Sequence, residues 1–338
     1  MSRADRPYNT LRSWLHADLA GGDRALGDVH VDSRNIAPGD VFIALSGERA
    51  DGRDFAPAAE AKGAAAILVE SGCLTPALTQ LSIPVVEVPD LARRAAQLAA
   101  DFYRLQACRT SAIGVTGTNG KTTVTALLAQ LLCALGQPCA LVGTLGWGFA
   151  GQLQDTGMTT PDAVSMARIL NALERQGARH VAIEVSSHGL SQGRVDQLTF
   201  AAAVFTNLSQ DHLDYHETME AYAEAKRRLF LVCKGVQVIN LDDDYGREMF
   251  ADNHIVGEPK LAYSLSDPRA HVYCRSVDYS VAGSSAELVT PWGEATLSCP
   301  LPGDFNLLNL LACITLLGAW GFPPDRVAPL LPAVRGAP

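Results

Sequence analysis

At 338 residues the chain is long for one domain and suits two. Its 48% hydrophobic and 19% charged residues fit a globular protein with a sizeable core. Its net charge of −9 excludes a broad basic surface for nucleic acid, though cations can still gather around an anionic ligand. No apolar run reaches the about 18 residues of a membrane span. The opening "MSRADRPYNTLRSWL" lacks the apolar core of a leader. Eight cysteines (73, 108, 133, 139, 233, 274, 299 and 313) stand singly, without a C-x-x-C pair. That argues against a zinc site and for reduced thiols in the cytoplasm.

In chain order, residues 1–108 read as a small α/β unit. "DVHVDSR", "GDVFIAL", "GAAAILVE" and "IPVVEV" have strand composition, and Asp90–Tyr103 reads as a helix opened by an Asp cap. A second unit, 109–338, starts with the buried strand "SAIGVT". Val124, Leu127, Leu128, Leu131 and Leu135 then make a helical stripe that Gly136 ends. "CALVG", a helix over Pro161–Gln176, "HVAIEV", "AAAVFT", a helix over Met219–Leu231 and "VQVIN" follow. That alternation predicts a mostly parallel sheet with helices on both faces. "HVYCRSVDYSVAGSSAELVTPWGEATLSCPL" reads as antiparallel strands and "FNLLNLLACITLLGAW" as a last buried helix. "LPAVRGAP" offers neither strand nor helix.

"GVTGTNGKTTV", Gly114 to Val124, carries the clearest chemistry. The common phosphate-loop pattern G-x-x-x-x-G-K-[ST] would want Gly where Val115 stands. Here the glycines are Gly114, Gly117 and Gly120. The context is still strand, loop, helix, which aims backbone N–H groups and a helix N-terminus at a phosphate. Gly117, Thr118, Asn119 and Gly120 form the loop. Lys121 would reach the terminal phosphates, and Thr122, followed by Thr123, would offer its hydroxyl to Mg²⁺.

Two further stretches fall where parallel strands end, the edge at which such folds bind ligands, and a third places a lysine within a helix. Glu184 lies in the apolar run "HVAIEV", where a carboxylate must be ion-paired or bound to a metal. Asp211, His212, Asp214 and His216 crowd "FTNLSQDHLDYH"; they suit Mg²⁺ or Mn²⁺, or simply cap a helix. Lys226 is centred on the apolar stripe of Met219, Tyr222, Ala223, Leu229 and Phe230. Such a lysine is deprotonated, paired or covalently altered, or it snorkels along its alkyl stem.

Together these stretches resemble the Mur ligases of peptidoglycan synthesis, whose loop reads G-T-N-G-K-[ST]. The resemblance also rests on "DSR" (Asp32–Arg34), "ADGRDF", "TTPD", "EVSSHGLSQGRV", "AKRRLF" and "GDFNLLN". It covers nearly the whole chain. "DSR" and "SSHGLSQGRV" point to the members that add the third stem residue, diaminopimelate or lysine, to UDP-MurNAc-L-Ala-D-Glu. The resemblance implies a UDP-binding domain over 1–108, an ATP-binding domain over 109–338, and the absence of the third, amino-acid-binding domain, hence a truncated form. It implies ATP and Mg²⁺ as cofactors, with Asn306 near the adenine. Ser33 would contact the uridine diphosphate. Thr159, Thr160, Ser186, Gln192 and Arg194 would contact the muramoyl dipeptide. "TTP" also reads as Thr160 capping a helix that starts at Pro161. Glu184, His212 and a carbamylated Lys226 would serve the metal. Lys121, Lys226 and His212 are the catalytic candidates of a cytoplasmic monomer that binds no nucleic acid. Another Mur or folylpolyglutamate-type ligase, or a binding module that holds UDP-muropeptide and ATP without turnover, are the other readings.

Overall fold

The computed structural model describes residues 10–15, 26–47 and 50–337. Residues 1–9, part of the stretch read as lacking a leader, lie outside them. The chain divides into two compact units, 1–108 with 162–176, and 109–161 with 177–338.

The first unit holds four parallel strands in the order β1 (Val29–His30), β2 (Val41–Ile43), β3 (Ala66–Glu70), β4 (Val85–Val88). Alternate side chains feed two apolar layers. Val41, Ile43, Leu68 and Val86 face one layer, and Phe42, Ile67 and Val69 the other. "DVHVDSR" gives only a two-residue strand, because Asp32 accepts a bond from the Arg34 N–H (2.9 Å) and turns the chain into a 3₁₀ segment.

The helix Leu91–Phe102 covers the first layer with Leu91, Ala95, Leu98 and Phe102. Its expected Asp cap is not made. Asp90 sits in the left-handed region (φ 55°) and its side chain caps nothing. Glu70 accepts from the N–H groups of Asp90 (2.8 Å) and Leu91 (2.7 Å) instead. The helix Ala163–Arg175 packs into this same layer through Val164 and Ala167, although the sequence reading gave it to the second unit. Asp162, not Thr160, is its N-cap, accepting from Val164 and Ser165.

The second unit is built on a ten-stranded sheet. Its strands are β5 (Ser111–Thr116), β6 (Cys139–Gly143), β7 (Gly146–Gly148), β8 (His180–Glu184), β9 (Phe200–Phe205), β10 (Val236–Asn240), β11 (Lys260–Ser264), β12 (Val272–Ser280), β13 (Gly283–Thr290) and β14 (Gly293–Cys299). They lie in the order β14-β13-β12-β11-β10-β9-β5-β8-β6-β7. The run from β12 to β6 is parallel, and the two margins are antiparallel. β5 lies between β8 and β9, the strands at which the winding reverses. The loops after those three strands therefore share the crevice where this architecture places ligands.

The loop helix Lys121–Ala134 buries Val124, Leu127, Leu128 and Leu131 in the same core as the helix Asp304–Ala319. The tail is not structureless. Ala328–Ala333 forms a 3₁₀ helix with Leu331 buried, and Gln130 bonds Arg335. Among the described residues no single helix is long and apolar enough to cross a membrane.

Candidate nucleotide-binding site

β5 ends at Thr116, and the loop helix begins at Lys121 with Gly120 as its N-terminal cap. Both loop glycines have positive φ, 149° at Gly117 and 88° at Gly120. A Cβ at Gly117 would overlap the Thr206 hydroxyl, and one at Gly120 the Asn309 amide, so both positions require glycine. The segment after β9 anchors the loop. Thr118 N–H donates to the Asn207 carbonyl (2.8 Å) and Asn119 N–H to Asn207 Oδ1 (2.9 Å). Lys121 Nζ donates to the Gly117 and Thr118 carbonyls, both at 2.8 Å.

Glu184 is 1% exposed. Its carboxylate accepts from Thr122 Oγ1 (2.9 Å), Thr144 N–H (2.9 Å) and Thr144 Oγ1 (3.2 Å). Among the described residues no cation forms an ion pair with it. Its direct hydrogen bonds all come from neutral donors, and Lys121 acts on it only at longer range. An all-oxygen set of this kind fits a hard cation such as Mg²⁺. Thr122 and Glu184, both expected at the metal, are thus brought together. Thr144 was not foreseen, although it lies at the end of "CALVG", one strand away from Glu184.

His212 has no contact with Glu184 among those of the described residues and is held by other neighbours. It adopts a left-handed backbone (φ 53°), pairs with Asp211 at 3.5 Å and packs edge-on against His188, 4.9 Å between ring centres. Among the described residues no three His, Cys, Asp or Glu side chains gather around one point. Asp214 lies in the short helix Leu213–His216, whose N-cap position is His212 itself. Burial lowers the pKa values of His188 and His216, and neighbouring positive charge adds to it.

Lys226 projects from the helix Met219–Val232 and is 1% exposed. Its Nζ donates to the Gly117 carbonyl (2.8 Å) and lies 4.2 Å from the centre of the Tyr222 ring. Burial, then the charge of Lys121, pushes its pKa down to about 6, against a smaller opposing pull from Asp211. Burial also lowers the pKa of Lys121, opposed by Glu184 and Asp211. The buried stripe contains Tyr222, Ala223, Leu229 and Phe230, as the periodicity indicated, whereas Met219, at the first helical position, is only half-buried. Arg227 and Arg228 turn away, to Asp252 and Asp196.

The expected muropeptide contacts form a connected patch. Thr160 Oγ1 donates to the Glu184 carbonyl (2.8 Å) and accepts from the Ser186 N–H (3.0 Å). Thr159 reaches Thr144 (3.0 Å between hydroxyls). Arg194 donates to the Thr160 carbonyl (2.7 Å) and to Gln192 Oε1. Ser33, in the first unit, is half-buried, and its carbonyl accepts from Lys62.

A cavity of about 390 Å³ adjoins the loop, lined by Asn119, Gly120, Thr123, Tyr263, Phe305 and Asn309 among others. Asn306 is not among the lining residues; its amide donates to the Pro302 carbonyl (2.8 Å). Asn309, three positions later in "FNLLN", is buried against Gly120.

Known proteins resemble this chain in sequence and fold. The description "Mur ligase middle domain" matches residues 115–317, and "Mur ligase family, catalytic domain" matches 28–103. The UDP-N-acetylmuramoyl-L-alanyl-D-glutamate–2,6-diaminopimelate ligase of Pseudomonas aeruginosa is 47% identical over 93% of this chain and 64% of its own length. Its counterpart in Neisseria meningitidis serogroup B is 43% identical over 91% and 63%. The chain therefore spans somewhat less than two thirds of these relatives. A solved structure of such a ligase superposes with a TM-score of 0.78 at 35% identity, over 97% of this chain and 67% of that one. MurF of Acinetobacter baumannii shares the fold at a TM-score of 0.73 and 22% identity, over 95% and 65%. A phosphate loop at the reversal point of the sheet, a buried carboxylate beside its threonine and a family description over more than half its length place this chain in the Mur ligase family.

Proposed function

We propose that the chain provides the nucleotide and muropeptide sites of an ATP-dependent ligase that joins diaminopimelate to UDP-MurNAc-L-Ala-D-Glu. The observation that carries this reading is the contact of Thr122 with buried Glu184 beside a loop into which Lys121 and Lys226 both converge. The names of the relatives support diaminopimelate over lysine. The eight unpaired cysteines fit a cytoplasmic setting, and a monomer belongs to the same reading.

Loop N–H groups and Lys121 would hold the terminal phosphates, and the cavity by Asn309 would take the base. Thr122 and Glu184 would hold Mg²⁺, with His212 and a carbamylated Lys226 serving a second ion. Bound there, the metal would neutralise charge that develops on the phosphoryl oxygens. Thr159, Thr160, Ser186, Gln192 and Arg194 would orient the muropeptide, and Ser33 its uridine diphosphate. A carboxylate oxygen of D-Glu attacks the γ-phosphorus, and ADP leaves. The amine of the incoming amino acid then attacks the acyl carbon, and phosphate leaves with formation of the amide. Lys226, uncharged near neutral pH and screened from water, is a suitable amine for carbamate formation.

Calorimetric titration of the chain with MgATP and, separately, with UDP-MurNAc-L-Ala-D-Glu tests this reading. Each should bind at one site. A chain that binds neither ligand would refute it.

A further inference from the structure

We infer that Tyr222 is a positioning residue that holds the phosphate loop in register with Lys226. The inference deepens the nucleotide reading above and rests on it.

Tyr222 and Lys226 lie one turn apart on the helix Met219–Val232, so both side chains leave the same face. That face meets two consecutive loop residues. Lys226 Nζ donates to the Gly117 carbonyl at 2.8 Å, and Tyr222 Oη lies 3.1 Å from Thr118 Oγ1. The helix therefore grips the loop twice.

The other partners of Thr118 fix the direction of the second bond. Its hydroxyl accepts from Ser209 N–H (3.0 Å) and donates to the Ser209 carbonyl (3.2 Å). A hydroxyl has one proton to give. Thr118 has spent that proton on Ser209, so Tyr222 donates and Thr118 accepts. Thr118 thus ties three segments together: the loop, the stretch after β9 and the lysine helix. Tyr222 is 1% exposed, so water does not compete for its hydroxyl.

The two grips differ in permanence. A lysine converted to a carbamate gains bulk and negative charge at Nζ and keeps a single N–H there, which changes its approach to the Gly117 carbonyl. The tyrosine bond is untouched by that change. It stays as the link that keeps the loop, and any phosphate on it, at a fixed distance from whatever Lys226 carries. The Tyr222 ring also bounds the space around Nζ, at 4.2 Å.

The test is Tyr222→Phe, which keeps the ring and removes the hydroxyl, beside an Ile239→Val control in the core of β10. In the chain without added nucleotide, the amides of Thr118 and Asn119 should exchange about fivefold faster in Tyr222→Phe, the usual worth of one neutral hydrogen bond. Core amides should keep their rates. Thr118→Val, which also removes both bonds to Ser209, should accelerate exchange at least as much, and adding Tyr222→Phe to it should change nothing further. With MgADP bound, the β-phosphate ³¹P resonance should move in Tyr222→Phe and stay in place in the control. Unchanged loop exchange, or additive effects in the double variant, would overturn the inference. Failure of the parent chain to bind MgADP would overturn the nucleotide reading instead, while the exchange rates would still decide the tether.

Discussion

Lys226 illustrates how much a single side chain can weigh on the molecule. An unfolded lysine titrates near about 10.5, whereas burial brings this one to about 6. Between those values the unfolded chain holds the extra proton, so this residue makes stability rise with pH across the window. Lys226→Met should therefore stabilise the chain in CO₂-free buffer at pH 7, by on the order of 2 kcal/mol after loss of the bond to Gly117. The gain should shrink as pH approaches 10. Denaturant unfolding at pH 7 and pH 9.5 measures it, and a destabilised variant at pH 7 would contradict the assignment. Lys121→Ala should leave the melting curve near that of the parent and lower MgATP affinity at least tenfold by titration. Unchanged affinity would remove the lysine from the phosphate site. The sequence made Lys226 visible because a cation in the middle of an apolar stripe is anomalous. It did not reveal Tyr222 or Thr144, which are ordinary residues for a buried face and a strand end. Their roles come from partners 104 and 40 residues away.

At the scale of the element, periodicity identified the loop helix, the lysine helix and most strands of the parallel sheet. Helix beginnings were less legible. Both expected caps failed because tertiary neighbours decide which oxygen meets the first N–H groups. Glu70 from β3 takes that place for the helix Leu91–Phe102, and Asp162 displaces Thr160, whose hydroxyl is committed to the Glu184 carbonyl. Asp162→Ala should cost about 1 kcal/mol in denaturant melts. Thr160→Val should spare that helix and weaken muropeptide binding, since it disturbs Ser186. Leu128→Ala, in the fully buried stripe of the loop helix, should cost about 3 kcal/mol. The short strand Gly146–Gly148 escaped the reading because three residues with two glycines carry no strand signature.

For the whole molecule, the charge of −9 and the cationic loop act at different ranges. Long-range repulsion of polyanions should keep the chain off duplex DNA at physiological salt, checked by electrophoretic shift. MgADP should still bind, because the charge of Lys121, buried at the loop, is screened little by solvent. The sequence divides into 1–108 and 109–338 by its pattern of elements, whereas the chain clusters into 1–108 with 162–176 and 109–161 with 177–338. The membership of Ala163–Arg175 in the first unit was not legible, because its amphipathic pattern names a buried face without naming the surface it meets.

The tie between the loop helix and the helix Asp304–Ala319 also sets a timetable for synthesis. Cys313 Sγ contacts the Val124 carbonyl across 189 residues of chain. At about 5–20 residues per second a ribosome needs roughly 10–40 s to cover that distance. Throughout that interval the loop has been made but its supporting core is incomplete. Asn207, which anchors the loop, emerges near the midpoint, and Asn309 only near the end. The stripe of Val124, Leu127, Leu128 and Leu131 is therefore covered in stages, first by β5, β6 and β8 and last by the helix Asp304–Ala319, which closes the same core.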